Sequence, residues 1–384
     1  MKGLAALRTY VALLCLPLAA MVACSGGGSS SPAASVPSIG APGQLTVLRA
    51  VPRAASRSGM RRAATPGCTP FPYSAPMLPP PCTIYVGGYI SPQHDQSVPQ
   101  QIASTKQFEK TIGRKLAMHT HYYLWTDGFP GIADNDDKSN GRIPFESWHC
   151  GDTDYNVVNG VWDQMLTKRA LAIKAFGWPM FIRYKWEMNL VLSPNCADPA
   201  NDLYVNGREF YSPTYFKAAW DHIRAIFAAN GVTNVVWVFN ASGSGEDPMS
   251  WYPGDDEVDW VGFDHYDTDH IANFTSEFSE VRTSPSPGNT NSPKPLYLYT
   301  STTTEFPTKP IVIGETGIEG PQQQAFLDGA NGANVGLPTA FPNIQAFLYW
   351  DSTGVRGQYQ LQQFGIPAFA SLAAGAYEQG MYKP

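Results

Sequence analysis

Pro179-Met-Phe-Ile-Arg-Tyr-Lys-Trp-Glu187, Ser212-Pro-Thr-Tyr-Phe-Lys-Ala-Ala-Trp-Asp-His-Ile-Arg-Ala-Ile-Phe-Ala-Ala-Asn-Gly231 and Asn234-Val-Val-Trp-Val-Phe-Asn240 follow one another in the chain and set its architecture. The first and third are short apolar runs of strand length. Between them, Ser212 and Pro213 supply a helix cap and a first-turn proline. Phe216, Trp220, Ile223 and Phe227 recur at helical spacing, and Asn230-Gly231 stops the helix. A strand, an amphipathic helix and a second strand make a βα unit, which builds a parallel sheet.

Six further runs carry the same signal: Thr83 to Ile90, Lys115 to Trp125, Arg142 to His149, Val258 to Tyr266, Pro310 to Glu315 and Gln345 to Asp351. A second helical stripe, Trp162, Met165, Leu166, Ile173 and Phe176, stops at Gly177. Eight strand signals with helices between them predict an α/β fold, a (β/α)8 TIM barrel in a single catalytic domain. Thr283 to Lys309, rich in Ser, Thr, Pro and Asn, reads as a long βα loop on the functional face.

The chain has 384 residues, of which 15% are charged and 12% aromatic. Low charge excludes a coiled coil, and this many aromatic residues exclude a wholly disordered chain. Seven of the 26 basic residues precede Cys68 and all 32 acidic ones follow it, leaving 19 basic against 32 acidic from there on. An acidic body repels phosphate backbones, so no nucleic-acid partner is expected.

Residues 1–23 read as a lipoprotein signal peptide. Lys2 and Arg8 form its basic start, Tyr10 to Ala23 its apolar run, and Met21-Val22-Ala23-Cys24 resembles a bacterial lipobox with Cys24 as the lipidated residue. Residues 24–67, rich in Ser, Gly, Ala and Pro and dotted with five arginines, read as a flexible linker. Residues 68–384 are the expected (β/α)8 catalytic domain. The expectation is an exported, monomeric lipoprotein of the cell envelope that meets the membrane only through its N-terminal lipid. Cys68, Cys82, Cys150 and Cys196 remain once the signal and the acylated cysteine are set aside. They suggest two disulfides, with Cys68–Cys82 and Cys150–Cys196 favoured among three connectivities. Their spacing offers no zinc pair, and neither a metal nor another cofactor is expected.

In such a barrel, chemistry gathers where strands end. The fourth run ends Arg183-Tyr184-Lys185-Trp186-Glu187-Met188-Asn189 and the seventh ends Ile313-Gly314-Glu315-Thr316-Gly317. Strands four and seven stand on opposite sides, so Glu187 and Glu315 can face each other across the mouth. Two facing carboxylates suit glycoside hydrolysis, in which one protonates the leaving oxygen and the other attacks or stabilises the anomeric carbon. Each could instead be a structural partner of a nearby cation, and Arg183 and Lys185 are at hand.

The pattern resembles glycoside hydrolase family 26. The resemblance rests on Arg183-x-x-x-Glu187-Met188-Asn189, on Trp220-Asp221-His222-Ile223 to Asn234-Val-Val-Trp-Val238, and on Tyr252-Pro-Gly-Asp255 to Val258-Asp-Trp-Val-Gly262 with Tyr266. Lys309 to Gly317 and Leu348-Tyr349-Trp350-Asp351 complete it. It implies a retaining β-mannanase-like enzyme with Glu187 as acid/base and Glu315 as nucleophile. Tyr266 would hydrogen-bond the nucleophile, Trp350 would form the floor under the sugar, and Arg183 would organise the strand-four carboxylate. With His149, Trp186 and Asn189 these make the expected substrate-binding set. Mannan-cleaving members place His directly before the acid/base, where this chain has Trp186. The expected substrate is therefore a β-linked polysaccharide, either β-mannan, mixed-linkage β-glucan or a relative.

Two other classes fit parts of the sequence. A catalytically silent surface glycan-binding lipoprotein would keep the aromatic cleft without needing either glutamate. A metal-dependent barrel hydrolase could use His119-x-His121 with Lys185, His265 and Asp351, although such barrels need the His-x-His on strand one.

Overall fold

The computed structural model describes residues 69–379, apart from 94–95, 150–153, 191–211, 244–246, 268–273, 280–282, 287–288, 296–297, 332–336, 354–356 and 375–377. The eight expected strands are Ile84–Ser91, Met118–Tyr123, Ile143–Trp148, Met180–Tyr184, Val235–Ser242, Trp260–Asp267, Ile311–Ile318 and Ile344–Ser352, numbered one to eight here. Each pairs in parallel with its neighbour, and strand eight pairs with strand one from Tyr85 to Ser91, which closes the sheet. The chain is a (β/α)8 barrel.

Period-2 alternation divides the strand side chains between two cores. Tyr85, Met118, Ile143, Phe145, Phe181, Val236, Val238, Trp260, Val312 and Leu348 fill the barrel interior. Trp260 donates from its indole to the carbonyl of Pro76 at 2.8 Å, so the segment before strand one closes the barrel floor. Outward residues pack under the helices, where Trp237 meets Trp220 and Phe227. The helix Pro213–Ala229 begins where its sequence signals put it: Ser212 accepts from the Tyr215 N–H, and Phe216, Trp220, Ile223 and Phe227 are buried. The helix Asp163–Phe176 likewise ends at Gly177, whose φ of 63° is the left-handed cap that glycine takes without cost.

Two expectations are corrected. Strand four ends at Tyr184, not Glu187, because Lys185 (φ 46°) and Glu187 (φ 57°) turn the chain into the left-handed region, which breaks the ladder. The stretch from Thr283 to Lys309 is not a featureless loop. It holds an antiparallel strand pair, Thr283–Ser286 with Asn289–Pro295, and a helix, Tyr299–Glu305. Four threonines lower that helix's propensity, but buried Leu298, Thr302 and Phe306 anchor it. Cys82 is disulfide-bonded. Cys24, Cys68, Cys150 and Cys196 lie outside the described residues, and the expected pairings with them. None of the described helices is long and apolar enough to cross a membrane.

Candidate active site

Strand seven delivers Glu315 through a break in its own alternation. Against strand six, Phe263 pairs with Ile313 and Asp264 with Glu315. Against strand eight, Phe347 pairs with Ile313 and Tyr349 with Thr316. On both sides strand seven has one residue too many, a β-bulge at Gly314. Val312 and Gly314 face the interior, and the bulge turns Glu315 inward as well. Gly314 is required by space, since a Cβ there would lie 2.2 Å from Asn240 Oδ1 and 2.6 Å from Asp264 Oδ1.

Three donors grip the Glu315 carboxylate. The Tyr122 hydroxyl donates to Oε1 at 2.7 Å, the Tyr266 hydroxyl donates to Oε2 at 2.6 Å, and Arg183 Nη2 also donates to Oε1. Burial pushes both phenols well above their ordinary range and the Glu315 charge adds to it, so both remain protonated donors. Arg183 is fully buried. Its Nη1 pairs with Asp264 Oδ2 at 2.8 Å, and its Nε donates to Ser147 Oγ at 2.8 Å. Burial opposes its charge, but Asp264 and Glu315 hold the guanidinium firmly protonated. Burial likewise pushes the Asp264 carboxyl well up, against the pull of Arg183 and with a push from Glu315 and Glu187. Glu187 thus acts electrostatically on the same cluster.

Glu187 is half-buried in the turn after strand four, where its N–H donates to the Asn240 carbonyl at 2.8 Å. Two left-handed, non-glycine residues in one turn cost about 1–3 kcal/mol each, and such strain gathers at functional sites. Asn189 is buried, and its amide exchanges two hydrogen bonds with the Ser242 backbone, at 2.9 and 2.7 Å. These tie the turn to strand five.

The flanking aromatics form two groups. Trp186 is buried beside Tyr122, His149 and the Arg183 guanidinium, with ring centroids 5.4 Å from Tyr122 and 5.9 Å from His149. Trp350 is partly exposed, stacks on Tyr89 at 5.8 Å, and meets Tyr266 and Tyr359 edge-on at 6.1 Å each. Tyr266 thus touches both the carboxylate and the Trp350 ring.

All eight site residues read from the sequence lie in the described structure. Arg183, Glu315 and Tyr266 share one hydrogen-bond cluster, Glu187 adjoins it, and Trp186, His149 and Trp350 line its surroundings. Sequence reading passed over Tyr122, Asp264, Ser147 and Tyr89. Alternation could have flagged two of them: Tyr122 shares the inward parity of Thr120 on strand two, and Asp264 that of Gly262 and Tyr266 on strand six.

His119 and His121, offered above for a metal hydrolase, alternate with that inward set and point away from the mouth. His119 lies between Thr105 Oγ1 at 3.0 Å and Asp137 Oδ1 at 2.9 Å, and His121 Nε2 is 2.6 Å from Asp137 Oδ2. Lys185 is buried against Asp154 at 2.9 Å, and Asp351 accepts from the Leu361 N–H. The proposed metal ligands therefore do not converge at the strand ends.

Comparison with known proteins gives partial matches. The family model described as Glycosyl hydrolase family 26 matches residues 204–288. Endoglucanase H of Acetivibrio thermocellus is 32% identical over 190 residues, which is 47% of this chain and 19% of that protein. The chain thus spans about a fifth of that relative's length. Among solved structures, Bacillus subtilis mannanase man26 superposes with a TM-score of 0.51 at 18% identity, over 78% of this chain and 87% of that one. A β-mannanase from a symbiotic protist of the termite Reticulitermes speratus gives 0.51 at 15%, over 78% and 88%. These likenesses concern the fold. The match to the glycoside hydrolase family 26 model covers that one segment, about a fifth of the chain.

Proposed function

We propose that the protein is a retaining endo-glycosidase that cleaves a β-linked polysaccharide by double displacement. The observation that carries this reading is the grip on Glu315. A carboxylate at the end of strand seven, with donors on both oxygens and a buried guanidinium alongside, is held in place and aimed, as a nucleophile requires. Glu187 protonates the leaving oxygen while Glu315 attacks the anomeric carbon and forms a glycosyl-enzyme. Glu187 then takes a proton from water, which displaces Glu315 with net retention. Trp350 buries the apolar face of the sugar ring and leaves its hydroxyls free for polar contacts. Trp186 and His149 shape the side near strand four.

The relative's name supports a glucan as substrate and the names of the two solved structures a mannan, and Trp186 in place of the histidine of mannan-cleaving members favours a β-glycan other than plain mannan. Incubation with β-mannan, mixed-linkage β-glucan and β-1,3-xylan should release oligosaccharides from at least one. Glu187→Ala and Glu315→Ala should each lower turnover by about three orders of magnitude or more. Binding of several glycans without cleavage of any would instead support a silent surface glycan-binding protein. The reading includes export and lipid anchoring at Cys24, and Cys24→Ala should then move the protein from the membrane to the soluble fraction.

A further inference from the structure

The helix side of strands two and three carries a second buried polar cluster that the active site does not use. Part of it is internally complete. Asp137 is bonded by His119, His121 and Arg142, while Arg142 also holds Glu109 at 2.9 Å and pairs with Asp136. Beside it stand Asp134, at the start of the helix Ile132–Asn140, and Glu146, outward on strand three. Both are fully buried. Asp134 Oδ2 accepts from the Tyr123 hydroxyl at 2.6 Å and the Gly131 N–H at 2.5 Å, which directs Oδ1 elsewhere. Among the described residues, no donor reaches either oxygen of Glu146 or Asp134 Oδ1, and the two carboxyls lie within hydrogen-bond reach of each other. No arginine or lysine pairs with either carboxylate among the described ion pairs.

Three carboxylate oxygens that no donor reaches, at zero exposure, carry a large desolvation cost unless something compensates them. One atom each from His121, Asp134 and Glu146 lie within 4.8 Å of one another. We propose that His121, Asp134 and Glu146 form a buried binding site for a divalent transition-metal ion of the zinc type on the helix side of strands two and three.

The donor set fits. One imidazole and two carboxylates suit Zn2+, whose bonds of about 2.1 Å would need the three atoms to close in by about 1 Å. With Nε2 of His121 engaged by Asp137, Nδ1 is the ring nitrogen left to ligate. A carboxylate on the far nitrogen is the usual support that orients a ligating histidine and raises its basicity. The neighbouring trio His119, His121 and Asp137 is a poorer site, because Asp137 and His119 already have partners on both polar atoms. The site joins strands two and three to the helix between them, on the opposite face of strand two from Tyr122, and its role is structural. The rival account is a proton shared between Asp134 and Glu146, for which burial and the Asp134 charge would push the Glu146 carboxyl well up.

The two accounts separate by titration of the full chain, dialysed against a chelator, with Zn2+ alone. The proposal expects one Zn2+ per chain. It expects affinity to fall at least about tenfold in Asp134→Asn, and binding to be lost in Glu146→Gln, which keeps the volume. It also expects the wild-type Tm to rise by about 5 °C at a hundredfold excess of Zn2+ over its Kd. Should Glu146→Gln fail to fold, the wild-type Tm with and without Zn2+ still decides. No uptake by the wild type, or equal uptake by wild type and Glu146→Gln, overturns the proposal in favour of the shared proton.

Discussion

Tyr122 and Glu315 are 193 residues apart in sequence, yet the phenol donates to Oε1 of the carboxylate at 2.7 Å, mirroring Tyr266 on Oε2 at 2.6 Å. The pair spans the barrel from strand two to strand seven and, with Tyr266, leaves the carboxylate little rotational freedom. A hydrogen bond to a charged group contributes about 1.5–3 kcal/mol. Tyr122→Phe and Tyr266→Phe should therefore each lower kcat by roughly tenfold to a hundredfold with little change in KM. Steady-state kinetics on the substrate found by screening would check this, and unchanged kcat in both would remove the tyrosines from the mechanism.

Arg183 is the only described cation bonded to both Asp264 and Glu315. Removing one partner of a buried ion pair typically costs 3–5 kcal/mol, so Arg183→Ala should lose about that much in chemical denaturation. Adding Asp264→Asn should restore part of it, because one uncompensated charge then disappears. Strictly additive losses would show that the contact is not energetically coupled.

Gly314→Ala places a methyl group against buried Asn240 and Asp264. Overpacking of this kind costs about 1–3 kcal/mol, and relief requires moving the bulge that aims Glu315. We expect a lower Tm together with a fall in kcat far beyond what the lost stability explains. A variant as active as wild type would show that the bulge tolerates movement.

Trp350→Ala removes a partly exposed ring, so folding should survive, as judged by circular dichroism. Lost stacking on the sugar should lower kcat/KM by about tenfold to a hundredfold. Wild-type kcat/KM would assign the ring to packing against Tyr89 and Tyr359.

Burial raises the Asp351 carboxyl to about 7, partly offset by the Leu361 N–H it accepts. A folded-state value above the unfolded one means that the native protein binds the extra proton. Stability is therefore greatest below the unfolded value, near about 4, and declines as pH rises through 7. Asp351→Asn keeps the acceptor oxygen and should flatten that decline. Denaturation at pH 4, 5.5, 7 and 8.5 would read it, and parallel curves for both proteins would exclude Asp351 as the source.

The sequence made the barrel legible because every strand run is apolar and flanked by helix or turn signals, as with Asn234 to Asn240 after the capped helix at Ser212. Glu315 stood out as a carboxylate at a run end, whereas Tyr266 and Trp350 were marked by the family resemblance. Tyr122 and Asp264 did not, since their meaning depends on which face of the strand looks inward, and parity is readable only once a neighbour's facing is known. The bulge at Gly314 inverts that parity from Glu315 onward, so that Ile318 faces the helices as Ile313 does, which no periodicity count can anticipate. The helix Tyr299–Glu305 was hidden for another reason: its stability comes from buried Leu298 and Phe306 rather than from its threonine-rich interior.

The left-handed backbone at Glu187 ties the fate of this residue to the energetics of the whole fold. A side chain is a burden at φ 57°, and glycine would sit there more comfortably. With Glu187 as the acid/base proposed above, mutational drift at this position is pulled downhill in folding free energy and away from catalysis at once, and only selection for turnover holds the glutamate in place. A lineage released from that selection would pass readily from cutting its glycan to merely holding it, and would gain a sturdier barrel in the exchange.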